Sequence, residues 1–182
     1  MTKAAAKNRK VLSPRLGKRV FVDPSAQVIG DVRIGDDSSV WPGCILRGDL
    51  QKIVIGRCSN IQDLSMIHVE TDQPCRIGDY VVVGHRVILH ACSVENQSLI
   101  GMGSIVLDGA RIGSETILGA GSLVTEGQRL KSGYLYFGRP AKQIRKLSRE
   151  EIRGLKRWAE RYMRYAADHL KGRYGRLAPP FF

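Results

Sequence analysis

From Val22 to Val124 an aliphatic residue returns every six positions. Val22, Val28, Ile34, Val40 and Leu46 open the series without a break. The phase then slips, resumes at Ile55, Ile61 and Ile67, resumes again at Ile77, Val83 and Leu89, and finally runs through Ile100, Val106, Ile112, Leu118 and Val124. The position after the aliphatic one is often glycine, as at Gly35, Gly56, Gly78, Gly84, Gly101, Gly113 and Gly119, and the fifth is small or aliphatic. An amphipathic helix repeats every three or four residues and a half-buried strand every two. A period of six fits neither alone. It predicts a coil with three short flat faces per turn, one aliphatic side chain per face pointing inward, and each coil burying its surface against its neighbours.

The pattern changes after residue 138. Ser148 and Glu151 have the spacing of a capping box. Ile152, Leu155, Trp158, Ala159, Tyr162, Met163, Ala166 and Leu170 then follow at helical spacing, with Gly172 as a stop. The expected organisation is a basic extension over 1–19, a β-helix over 20–138, a linker and C-terminal helix over 139–172, and a tail over 173–182. The helix is expected to lie along the coil or a neighbouring subunit.

Charge sharpens this division. The net charge is +12, yet 20–138 carries nine basic and thirteen acidic side chains. Residues 1–19 hold seven basic and no acidic groups, and 139–182 thirteen basic against four acidic. A mildly acidic coil argues against a nucleic-acid-reading core, leaving only nonspecific attraction through the ends. No apolar run approaches the roughly 20 residues a membrane span needs. Met1–Lys10 is basic without an apolar stretch, unlike a secretory signal, and reads as a disordered extension. The four cysteines, Cys44, Cys58, Cys75 and Cys92, lack CxxC spacing, so a reduced, cytoplasmic protein is expected.

Three of the four histidines fall inside the repeat. His68 follows Ile67 and His90 follows Leu89, so both take the second position of a hexad. If Glu70–Arg76 is one loop that absorbs four extra residues, His68 and His90 stack on one face of adjacent coils, about 4.8 Å apart. His85 lies one face away. Five extended residues span on the order of 15 Å, so His85 is expected to reach the same ion only from a neighbouring subunit. The counting thus predicts a cyclic trimer with three interfacial metal sites. Three neutral imidazoles and one open position form the pattern of a catalytic zinc site, at which bound water ionises near pH 7. His169, in the helix, reads as ordinary surface.

Arg47-Gly48-Asp49, Asn60-Ile61-Gln62-Asp63, Ile67-His68, Gly84-His85 through Leu89-His90, Ile100-Gly101-Met102-Gly103 and Gly138-Arg139-Pro140-Ala141-Lys142 together resemble the γ-class carbonic anhydrase-like hexapeptide-repeat proteins. The resemblance covers roughly residues 15–170. It implies a left-handed parallel β-helix and a homotrimer with zinc, or iron or cobalt, at each interface. His68 and His90 would come from one chain and His85 from the next. The reaction would be attack of metal-bound hydroxide on carbon dioxide to give bicarbonate. Gln62 is similar to the residue that hydrogen-bonds the bound water or substrate. Arg47, Asp49 and Asp63 resemble a charged cluster that ties subunits together beside the metal, and Tyr162 matches an aromatic or amide position near the site.

Two departures bear on turnover. The class has a glutamate after its Arg-x-Asp motif where this chain has Leu50, and an acidic proton-shuttling loop where it has only Glu70-Thr71-Asp72-Gln73-Pro74. The site is therefore better matched than the rate. Two other functions compete: acyl or thioester chemistry on coenzyme A conjugates, and a trimeric assembly subunit without turnover.

Overall fold

The structure, a computed structural model, describes residues 11–177. The segments 1–10 and 178–182, including most of the expected basic extension, lie outside the described residues. The rest is a parallel β-helix with one C-terminal helix, Arg149–Leu170.

Its three faces follow from the hexads. The first stacks Val28, Leu46, Ile67, Leu89, Val106 and Val124 as register partners on successive coils. The second stacks Leu16, Ile34, Ile55, Ile77, Val94, Ile112 and Leu130. The third stacks Val22, Val40, Ile61, Val83, Ile100, Leu118 and Tyr136. Apart from half-exposed Leu16 at the start of the second row, these inward rows form one continuous core, in which Leu46, Ile61, Ile67, Leu89, Ile100, Ile112 and Leu118 are fully buried. Each contributes about 2 kcal/mol by removal from water.

The slips in phase have local causes. Between Leu46 and Ile55 the chain runs as a single bent strand, Ile45–Ile55, paired with a second bent strand, Gln27–Ile34. Gly30 sits at the bend with φ +83°, and a Cβ there would come within 2.2 Å of the Gly48 carbonyl oxygen, so only glycine lets the two coils stack. Val94 follows Leu89 by five residues, a shortened corner that strict counting in sixes passes over. The ladder also begins earlier than expected, because Arg15–Leu16 pairs with Arg33–Ile34. The segment after residue 138 is not all linker: Lys142–Lys146 returns antiparallel to Tyr134–Phe137.

The outward rows differ from face to face. Beside the inward row of the first face runs Ile45, Met66, Ile88, Ile105 and Leu123, apolar on five successive coils. The second face turns Arg15, Arg33, Arg76, Arg111 and Arg129 outward, interrupted by Val54 and Ser93. The helix covers the third face. Its capping box forms as expected, with Ser148 Oγ accepting from the Glu151 N–H and Glu151 accepting from the Ser148 N–H. Leu155, Ala159 and Ala166 are its buried positions, while Trp158 and Leu170, at the edges of the stripe, are about half exposed.

The helix ends over the first coils. Ala166 and Tyr162 pack on Phe21 and Trp41. His169, expected at the surface, is instead half-buried, its ring 4.9 Å from Phe21, 5.1 Å from Trp41 and 4.8 Å from Tyr174 between centroids. Helical spacing puts it three residues beyond Ala166, on the same stripe. Arg176 then pairs with the buried Asp23. Among the described residues no helix is long and apolar enough to cross a membrane, and all four cysteines are buried and free.

Candidate active site

The first face has two edges, and each carries part of the expected site. At the edge leading to the second face, Arg47, His68 and His90 occupy the position after the inward residue on three successive coils, and His68 and His90 are register partners. The loop after Val69 rejoins the ladder at Cys75, which is what places them in register. His68 Nδ1 lies 3.1 Å from His90 Nε2. The nitrogens facing away are each held by a carboxylate: His68 Nε2 by Asp49 at 3.1 Å, and His90 Nδ1 by Asp108. Arg47 Nη1 donates to the other Asp49 oxygen at 2.5 Å, and this contact is the largest cause of an Asp49 pKa below the ordinary range. Their side chains are 13% and 26% exposed for His68 and His90.

At the opposite edge, where the third face turns into the first, Asp63 and His85 stack on adjacent coils. The Asp63 Oδ2–His85 Nδ1 distance is 3.0 Å, and the His85 side chain is 39% exposed. Both corners are held open by a following residue in the left-handed region, Leu64 at φ 61° and Arg86 at φ 58°, a conformation costing about 1 kcal/mol for a side-chain-bearing residue. Gln62 is buried, and its Nε2 donates to Asn60 Oδ1 at 3.0 Å. Asn60 Nδ2 has no partner among the described residues. Tyr162, from the helix, edges onto Trp41 at 5.6 Å. Burial, then the charge of Asp63, pushes its phenol up, keeping it protonated at neutral pH. A groove of about 320 Å³ passes Gln62, Gly101, Met102, Trp158 and Tyr162.

No hydrogen bond or ring contact joins the two edges, and among the described residues no three His, Cys, Asp or Glu side chains of one chain converge on a metal-sized site. The family model for bacterial transferase hexapeptide (six repeats) matches residues 13–48. Over 166 residues the chain is 50% identical to Protein YrdA of Escherichia coli, covering 87% of this chain and 90% of that one. It is 45% identical over 163 residues to the mitochondrial gamma carbonic anhydrase 2 of Arabidopsis thaliana, covering 86% of this chain and 59% of the relative. Among solved structures, a hexapeptide transferase family protein from Anaplasma phagocytophilum superposes with a TM-score of 0.82 at 44% identity, over 86% of this chain and 92% of that one.

The chain belongs to the γ carbonic anhydrase-like hexapeptide-repeat family.

Within this family member the expected cluster of Arg47, Asp49 and Asp63 is divided between edges. Arg47 and Asp49 stand with His68, while Asp63 stands with His85, because Asp63 lies at the other corner of its coil. Gln62, Asp63, His85 and Tyr162 share one edge. Asp108 was not singled out from the sequence, although a signal existed: counting two residues on from the Leu89–Val106 pair sets Asp108 beside Ala91, next to His90. Glu70 lies near both histidines, but the Thr71 N–H and hydroxyl hold its carboxylate below the ordinary range.

Proposed function

We propose that this chain reversibly hydrates carbon dioxide to bicarbonate at metal sites shared between the subunits of a homotrimer. The observation that carries the reading is the divided donor set, two imidazoles at one edge of an apolar face and the third at the other. A cyclic assembly that sets edge against opposite edge completes each site and covers the Ile45, Met66, Ile88, Ile105 and Leu123 row. Two nitrogens bound at about 2.1 Å to one tetrahedral ion stand roughly 3.4 Å apart, so the 3.1 Å between His68 Nδ1 and His90 Nε2 suits a shared ion. Zinc fits these imidazoles best, and iron(II) or cobalt(II) also suit them. When bound, the ion supplies Lewis acidity, bringing the pKa of its water to about 7.

The other roles belong to the chain. Asp49 and Asp108 accept from the ring N–H groups that face away, fixing the tautomers that leave His68 Nδ1 and His90 Nε2 as donors. Asp63 does the same for His85 and leaves Nε2 free. Gln62, steadied by Asn60, orients substrate through its amide. The protonated Tyr162 offers a hydroxyl beside it. Glu70, held below the ordinary carboxylate range by Thr71, is a weaker base than a free glutamate, so proton removal falls to buffer. Four free, buried thiols support a reducing, cytoplasmic setting.

The deciding experiment is stopped-flow carbon dioxide hydration on protein assayed and filled with zinc, or anaerobically with iron. Activity that disappears in His90→Ala is the expected result. A fully metallated trimer no faster than buffer rejects the reading. A second reading, hydrolysis or transfer of acyl thioesters, is favoured by the apolar groove beside Gln62 and by the likeness to the hexapeptide transferase family protein of A. phagocytophilum. The same preparation assayed on thioesters separates the two, and silence on both leaves a non-catalytic assembly subunit.

A further inference from the structure

The coil is acidic overall, yet its second face is not. Of its outward arginines, Arg15 and Arg33 both approach Asp31, at 3.4 Å. Among the described residues no carboxylate lies within ion-pairing distance of Arg76, Arg111 or Arg129. Glu95, on the same coil as Ser93, is turned away, accepting from the Ser114 N–H and hydroxyl at 3.1 Å. Asp108 is engaged by His90. Two of the unpaired arginines, Arg76 and Arg111, flank Ser93 on coils two apart, roughly 10 Å between backbones. All three side chains line a groove of about 480 Å³ whose floor includes Pro74, Ala91 and Ala110.

We propose that this groove is a binding site for a phosphate-type oxyanion carried on a small organic molecule. Two guanidinium groups present planar pairs of N–H donors that match tetrahedral oxyanions, and neither is already spent on a protein carboxylate. The Ser93 hydroxyl between them supplies a further donor. The volume exceeds what a lone phosphate fills and lies within the range of small-molecule sites. The uncharged, small-residue floor takes the rest of the ligand. The site shares no side chain with the histidine edges, and it stands whether or not the hydration reading does.

Isothermal titration of the metal-filled, full-length protein with inorganic phosphate and with glycerol phosphate, at modest ionic strength, tests the site. Expected is saturable binding that weakens about tenfold in Arg76→Ala and in Arg111→Ala, disappears in the double variant, and is unchanged in Arg15→Ala, with all variants keeping the parent's circular dichroism. Tighter binding of glycerol phosphate supports the esterified ligand, and equal binding overturns the organic part of the proposal and leaves free phosphate as the occupant. Binding that survives the double variant overturns the proposal and assigns the anion to the metal. Equal weakening in Arg129→Ala, which lies outside the groove, overturns it in favour of a diffuse field, and no binding of either probe overturns it outright.

Discussion

At one edge of the first face, His68 and His90 stand on adjacent coils, each tied to a carboxylate and mostly shielded. At the other edge His85 stands over Asp63, more exposed, and among the described residues no second imidazole is in ring or hydrogen-bond contact with it. The first edge is a prepared pair whose free nitrogens already converge; the second is a single donor beside the amide and phenol that could handle substrate. On the proposed reading, the first corner supplies two of the metal's ligands, and the second supplies the third together with the groups that handle substrate. On that reading a single chain is incomplete in itself, and the contrast is informative because each corner can be damaged separately.

The largest effects come from breaking either edge alone. His68→Ala and His85→Ala homotrimers are each expected to lose metal and activity. Equal mixing of the two after subunit exchange should restore about a quarter of the sites, since an intact site needs His68 from one variant and His85 from the other in a fixed order. Metal content of the mixed trimer reads this directly, and no recovery after confirmed exchange rejects the shared geometry. Next, Asp108→Asn should weaken metal affinity by about 10–100-fold by releasing the His90 tautomer, while Gln62→Ala at the opposite edge should leave affinity nearly unchanged and lower turnover. Competition with a chelator separates the two.

Smaller effects sharpen the role of the helix that brings Tyr162 to the second edge. Ser148→Ala removes the cap and should cost about 1 kcal/mol in urea unfolding. Acid supplies the least change. Arg145, then the Ser148 N–H, hold Glu151 at about 2, below its ordinary 4.5. Its contribution is therefore complete above pH 4.5 and lost as pH falls through about 2. A circular dichroism acid titration should show that extra loss of helix in the parent and not in Glu151→Gln.

Much of this was readable in the sequence because the coil converts residue number into position. Counting sixes placed His68 opposite His90 and separated His85 from both, and the Ser148–Glu151 spacing marked the capping box. What it missed depends on reach across coils. Asp108 looks like any corner acid: Asp36 and Asp79 occupy comparable corners and each accepts a backbone N–H from the preceding coil. Lys142–Lys146 alternates no apolar residues, so nothing in its pattern marked a strand. His169 read as surface because it is polar, and its place three residues beyond Ala166 does not say that the wall opposite is Phe21 and Trp41. The basic second face was hidden by summing charge over the coil, which cancels arginines on one face against acids at the corners.

The bond from Arg176 to Asp23 joins residues 153 positions apart, and the helix before it covers the same first coil. A stacked coil can grow from any point, one layer on the next, yet here the outer wall of the earliest layer is supplied by a segment far later in the chain. During synthesis Phe21 and Trp41 emerge well before Tyr162 and Ala166 exist to cover them. The nascent coil can therefore stack while its first layer stays bare, and only the arrival of the helix closes it.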